Sequence, residues 1–182
     1  GIPIVRTIKE GLATNKITKV YGILNGTCNY ILSQMEKTKD SFKNVLKNAQ
    51  KLGYAEPGNP KLDLNGYDAL AKVKILSALA FNCKISKSQS LMEGIEKIEA
   101  TDFDIVEKLN LRIKLLGITE IINNKIFERV HPCLVSRDSY IGNVTDVMNA
   151  VILEGKPVGE SVMQGEGAVS YTHLRAHETR EY

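Results

Sequence analysis

The sequence has no apolar run approaching the ~20 residues that a membrane-spanning helix needs, and no basic stretch interleaved with aromatics. The first absence argues against a membrane protein. The second argues against nucleic acid as a partner, because phosphate binding calls for a concentrated positive stripe and base stacking for aromatic faces. Net charge is only +3, from 24 basic and 21 acidic residues, and lysines stand beside acids, as in Glu93-Gly94-Ile95-Glu96-Lys97. Cysteine is scarce. Cys28, Cys83 and Cys133 are odd in number, far apart and without a C-x-x-C pair. That argues against a disulfide framework and fits a reducing, cytoplasmic setting, with three buried free thiols expected. Gly1 begins in mid-pattern, without methionine and without a basic-then-apolar leader, so the chain reads as a piece of a longer one.

What is present has the balance of a globular protein: 182 residues, 43% hydrophobic and 25% charged, enough for one substantial core. Pro3 can open a helix, with Ile4, Ile8 and Leu12 recurring on one face until Thr14-Asn15-Lys16. Ile17 to Leu24 is β-branched and reads as a strand, followed by an Asn25-Gly26-Thr27 turn and a helix over Asn29 to Glu36. Ser41 is placed to cap a helix whose stripe is Phe42, Val45, Leu46, Ala49 and Leu52, with Gly53 as its stop. Tyr54 to Tyr67, with two prolines, Gly58, Asn59, Asn65 and Gly66, reads as a long functional loop. Asp68 to Phe81 is apolar on nearly every side and predicts a helix buried among other elements. A further helix is expected to begin near Asp102.

Beyond it the character changes. Arg112 to Ile122, Lys125 to Val135 and Ala150 to Leu153 predict strands, with Asn123-Asn124 as a hairpin turn. The expectation is an α+β fold, with a mixed or antiparallel sheet in the second half packed against helices. Residues 1–169 are expected to form one domain. Residues 170–182 lack any hydrophobic period and read as a non-native or disordered tail. His173 and His177 stand there at i and i+4, but Leu174, Arg175 and Ala176 supply no glutamate of an H-E-x-x-H site.

The chemistry concentrates between Ala49 and Lys72. A buried helix is a costly place for a lysine, and Lys72 has Ala69, Ile75 and Leu76 around it, with Asp68 one turn earlier as an ion-pair partner. The bland reading is an exposed helix pair whose lysine snorkels to solvent. Against it, the pair lies at a helix N-terminus beside a loop carrying Glu56 and Asp63. Three carboxylates and a lysine in one pocket would suit a small zwitterion, the acids holding an ammonium and the lysine reaching an oxygen.

These residues resemble the signature of homoserine dehydrogenases: Ala49, Gly53, Tyr54, Ala55, Asn59, Pro60, Asp63, Leu64, Gly66, Asp68 and Lys72. Asn25-Gly26-Thr27-Cys28-Asn29-Tyr30-Ile31 is similar to a second block of that family, and Arg112 to Gly117 and Val130-His131-Pro132 to others. The resemblance spans roughly Gly1 to Ala168. It implies reversible NAD- or NADP-linked oxidation of L-homoserine to aspartate semialdehyde, within threonine, methionine and isoleucine synthesis. It also implies Lys72 as the proton-transfer residue, Glu56, Asp63 and Asp68 as substrate-binding acids, and Gly53 and Gly167 as cofactor contacts. It further implies an alkali-metal site, such as one for sodium, to which Ile2 would give its carbonyl, and a homodimer formed through the strand-rich half.

The sequence departs from that family in one large respect. No G-x-G-x-x-G follows a strand, so no complete nucleotide-binding domain is expected, and the residues that would choose between NAD and NADP would lie in it. A second substrate-side lysine and most of the metal ligands would be absent too. The chain by itself is therefore expected to have negligible activity. The alternative from another class is a non-catalytic dimerisation or binding module. Another dehydrogenase that oxidises aldehydes would need a catalytic cysteine, for which Cys28 is the candidate.

Overall fold

Strand β1 (Lys16–Ile23) comes from the helix-rich first half, yet it lies inside the sheet. A helical turn α1 (Ile4–Arg6) and a wider π-helical turn precede it. Helices α2 (Gly26–Thr38), α3 (Phe42–Lys51), α4 (Lys61–Leu64) and α5 (Tyr67–Ala80) follow. Then come β2 (Leu91–Met92), α6 (Ala100–Lys108), β3 (Leu111–Ile122), β4 (Lys125–Ser136), β5 (Met148–Lys156) and β6 (Gly159–Glu166). The sheet order is β2-β4-β3-β1-β5-β6, antiparallel throughout except for the short parallel β2–β4 pair. This computed structural model describes residues 1–58 and 60–167. The expectations for the 170–182 tail, for Ala168 and for Asn59 lie outside those residues.

An α+β architecture with a mixed sheet against helices is thus present, but the sheet is not confined to the second half. β1 is flanked by β3 and β5 because its side chains serve two cores. Ile17 and Val20 face the helices together with Ile113, Leu115, Val151 and Leu153, while Ile23 joins Leu116, Ile118, Ala150 and Ile152 on the other face. A strand apolar on both faces is most stable in a sheet interior. The β3–β4 hairpin turns at Asn123 and Asn124, with φ of 49° and 59°, the paired left-handed conformation of a two-residue hairpin.

Several local expectations shift for identifiable reasons. Asn25-Gly26-Thr27 is not a separate turn, since Asn25 caps α2, its Oδ1 accepting from Cys28 N–H at 2.9 Å. Ser41 caps α3 and Gly53 follows its end at φ +78°, both as the sequence indicates. The loop from Tyr54 contains the turn α4. Helix α6 starts two residues before Asp102, whose carboxylate accepts from Glu99 N–H at 2.8 Å. Helix α5 is not enclosed on every side: Ala69, Val73 and Leu76 are buried on the sheet, while Tyr67 and Ile75 are exposed. Lys72 stands on that open side, with its side chain 47% exposed. Of the thiols only Cys28 is buried, because Cys83 sits past the end of α5 in an exposed loop and Cys133 is half-buried.

Candidate functional site

Four segments meet at one end of the sheet. β1 ends at Ile23, and Leu24 and Asn25 carry the chain into α2. α4 and the first turns of α5 contribute Asp63, Asp68 and Lys72. Gly1, Ile2, Ile4 and Val5 come from the start of the chain, β5 brings Asn149 and Val151, and Gly167 follows β6. Together they line a cleft of about 480 Å³.

Within it the polar groups are linked. Lys72 Nζ donates to Asp68 Oδ2 at 2.7 Å, one helical turn away, and to the Leu24 carbonyl at 2.9 Å. Asn25 Nδ2 donates to Asp63 Oδ1 and to Asp68 Oδ2, each at 2.9 Å. One amide thereby ties two carboxylates together while its oxygen caps α2, so α2, α4 and α5 are locked by a single side chain. Burial, and then the nearby charges of Asp68 and Glu56, raise the Asp63 carboxyl above its ordinary range, opposed by the Asn25 hydrogen bond and by Lys72. Asn25 carried no functional reading in the sequence. The signal was its place immediately before a helix, where an Asx side chain faces the helix N-terminus.

The structure brings Asp63, Asp68 and Lys72 together, with Ile2 and Gly167 on the same cleft. It does not bring in Glu56 or Gly53. Glu56 is exposed, its backbone carbonyl accepting from Gln50 Nε2 of α3 at 3.1 Å, so only its charge reaches Asp63. Gly53 lies beyond α3, and a β-carbon there would meet nothing within 4 Å. The Ile2 carbonyl accepts from Ile4 N–H at 2.8 Å. Among the described residues no group of three or more His, Cys, Asp or Glu side chains could hold a metal ion.

Cys28 is fully buried, its thiol donating to the Asp63 carbonyl at 3.2 Å. Burial, together with Asp63 and Asp68, pushes its pKa well up. A thiol so placed is a poor nucleophile, which argues against aldehyde oxidation through cysteine.

Fold and site together define the class: an α+β domain whose lysine–carboxylate cluster faces a cleft sized for small molecules. Comparison with known proteins supplies the family. The homoserine dehydrogenase family model matches residues 3–172, and the chain belongs to that family. It is 46% identical over 168 residues to the homoserine dehydrogenase of Neisseria gonorrhoeae, covering 92% of this chain and 38% of that protein. The Helicobacter pylori enzyme is also 46% identical over 168 residues, with 92% and 40% covered. The crystal structure of the Thiobacillus denitrificans homoserine dehydrogenase superposes with a TM-score of 0.89 at 44% identity, over 93% of this chain and 39% of that one. The chain thus spans about two fifths of the length of the curated relatives it matches.

Proposed function

We propose that this segment, residues 1–169 taken as one domain, is the substrate-binding and proton-transfer part of a homoserine dehydrogenase. The reaction is the NAD(P)-linked interconversion of L-homoserine and L-aspartate 4-semialdehyde. The observation that carries the reading is the placement of Lys72. An ammonium has three N–H donors, and those of Lys72 meet two acceptors among the described residues, Asp68 and the Leu24 carbonyl. The third is left for an oxygen in the cleft.

A bound nicotinamide cofactor supplies or takes up the hydride. As hydride reaches the aldehyde carbon, negative charge grows on its oxygen. Lys72 stabilises that charge and gives up the proton that completes the alcohol. In the oxidative direction the neutral amine takes the hydroxyl proton. Asp68 keeps the lysine on target through their 2.7 Å contact, and Asp63, Asp68 and the nearby charge of Glu56 attract the substrate ammonium. The Ile2 carbonyl alone does not make a site for a hard cation, which takes several oxygen ligands.

The sheet face away from the helices supports a homodimer. It presents Val162 at 37% exposure and Phe127 at 46% beside the second apolar cluster, and such a face is stabilised by a second copy. A non-catalytic dimerisation module would use the same face, and it is the lysine–carboxylate geometry that favours the enzyme.

The test exchanges residues 3–167 into the full-length Neisseria gonorrhoeae relative and follows homoserine oxidation. Lys72→Ala is expected to lower turnover by about 10²–10⁴-fold while homoserine still binds. Turnover close to that of the parent would make Lys72 a structural residue and sink the mechanism.

A further inference from the structure

One polar side chain of the cleft has no task in this reaction. Asn149, on β5, lines the cleft, and its amide oxygen is buried without a hydrogen-bond partner among the described residues. Such an acceptor is costly to retain unless something else satisfies it. The backbone around it is held firmly. Asn29 Nδ2 donates to the Met148 carbonyl at 3.0 Å and to the Val144 carbonyl at 3.2 Å, and the buried Lys114 Nζ donates to Val144 at 2.5 Å. Among the described residues the amide oxygen has no such partner.

Its surroundings differ from those of Lys72. Gly165 is its cross-strand partner, and Ile2 Cγ1 lies 3.4 Å from where a β-carbon on Gly165 would stand. Ile4, Val5 and Val151 continue the apolar lining. The cleft therefore has two chemistries: a charged part from α4, α5 and Asn25, and a primary amide set among apolar side chains and glycines. A zwitterionic amino acid belongs with the charges. A flat, weakly polar ring bearing a carboxamide belongs with the amide, and hydride transfer requires such a ring beside the carbon whose oxygen Lys72 serves.

We propose that Asn149 is a cofactor-binding residue, its amide oxygen accepting a hydrogen bond from the carboxamide N–H of the nicotinamide ring. This rests on the dehydrogenase reading above. The contact fixes which edge of the ring faces β5, and with it the ring face offered to the substrate.

The experiment uses the same exchanged protein and measures NADPH binding by nicotinamide fluorescence, alongside the acetylpyridine analogue, whose ring carries a methyl where the amide has its NH₂. Asn149→Ala is expected to weaken NADPH about tenfold, the worth of one well-formed hydrogen bond, and to leave the analogue's affinity and the KM for homoserine within about twofold. Asn149→Asp keeps the shape and the acceptor and is expected to hold NADPH within about threefold of the parent. Unchanged NADPH affinity in Asn149→Ala overturns the proposal. So does equal weakening of NADPH and the analogue, which marks a structural role, or a rise confined to the KM for homoserine. A parent protein without homoserine-dependent hydride transfer overturns the dehydrogenase reading and this proposal with it.

Discussion

Lys114 offers the sharpest test of the packing. It is 1% exposed on β3, its Nζ donating to Asn29 Oδ1 at 3.1 Å and to the Val144 carbonyl at 2.5 Å. Burial drives its pKa down from the ordinary 10.5 to about 8, with Glu36 opposing and Arg112 reinforcing the change. Between those two values the folded protein binds fewer protons than the unfolded chain, so stability rises with pH across the window. Below the folded value the full cost of the buried ammonium is present. At about 1.4 kcal/mol per pH unit that cost is about 3–4 kcal/mol. Lys114→Met removes it, and leaves Asn29 Oδ1 without this donor at a pH-independent cost of about 1–3 kcal/mol. The variant is therefore expected to match or exceed the parent's stability near pH 7, and to fall below it by up to about 2 kcal/mol near pH 10, where a small part of the ammonium cost remains. Burial and Glu160 raise Tyr21 to about 12 in both proteins, so its titration cancels in the difference. Urea unfolding followed by far-ultraviolet circular dichroism at the two pH values measures the crossing. A stability difference that does not move with pH would refute the account.

Two glycines should respond in opposite ways to alanine. At Gly22 a β-carbon would lie 2.1 Å from the Ala150 carbonyl oxygen in the middle of the sheet, so Gly22→Ala is expected to cost about 3 kcal/mol or more. Gly53→Ala meets no neighbour and should lose only the left-handed backbone preference, about 1–2 kcal/mol, and denaturant midpoints of the two variants decide it. For the cysteines, peptide mapping after alkylation of the native protein should find Cys83 modified first, Cys133 more slowly and Cys28 only on unfolding. Labelling of Cys28 at the rate of Cys83 would contradict its burial beneath Asp63.

Local chemistry made part of this protein legible in one dimension. The Ser41 cap, the stop at Gly53, the Asn123-Asn124 hairpin and the Asp68–Lys72 pair each depend on residues within a few positions of one another. A helix turn or a hairpin fixes such geometry wherever the segment lies. The cluster of acids with a lysine was legible for the same reason, since the α4–α5 connection places Asp63, Asp68 and Lys72 within ten positions.

Tertiary structure decided what depends on distant segments meeting. Sequence order alone does not show that β1 enters the sheet between β3 and β5, because strand partners are chosen by which faces can be buried together. The exposure of Lys72 follows from α5 having a sheet on one side only. Glu56, near Asp63 in sequence, is exposed and does not line the cleft, its backbone carbonyl bonded to α3, whereas Asn25, 38 positions from Asp63, reaches both carboxylates. Asn149 has no neighbour in sequence that marks it, and that its amide oxygen lacks a partner among the described residues shows only once β5 is placed in the sheet beside β1.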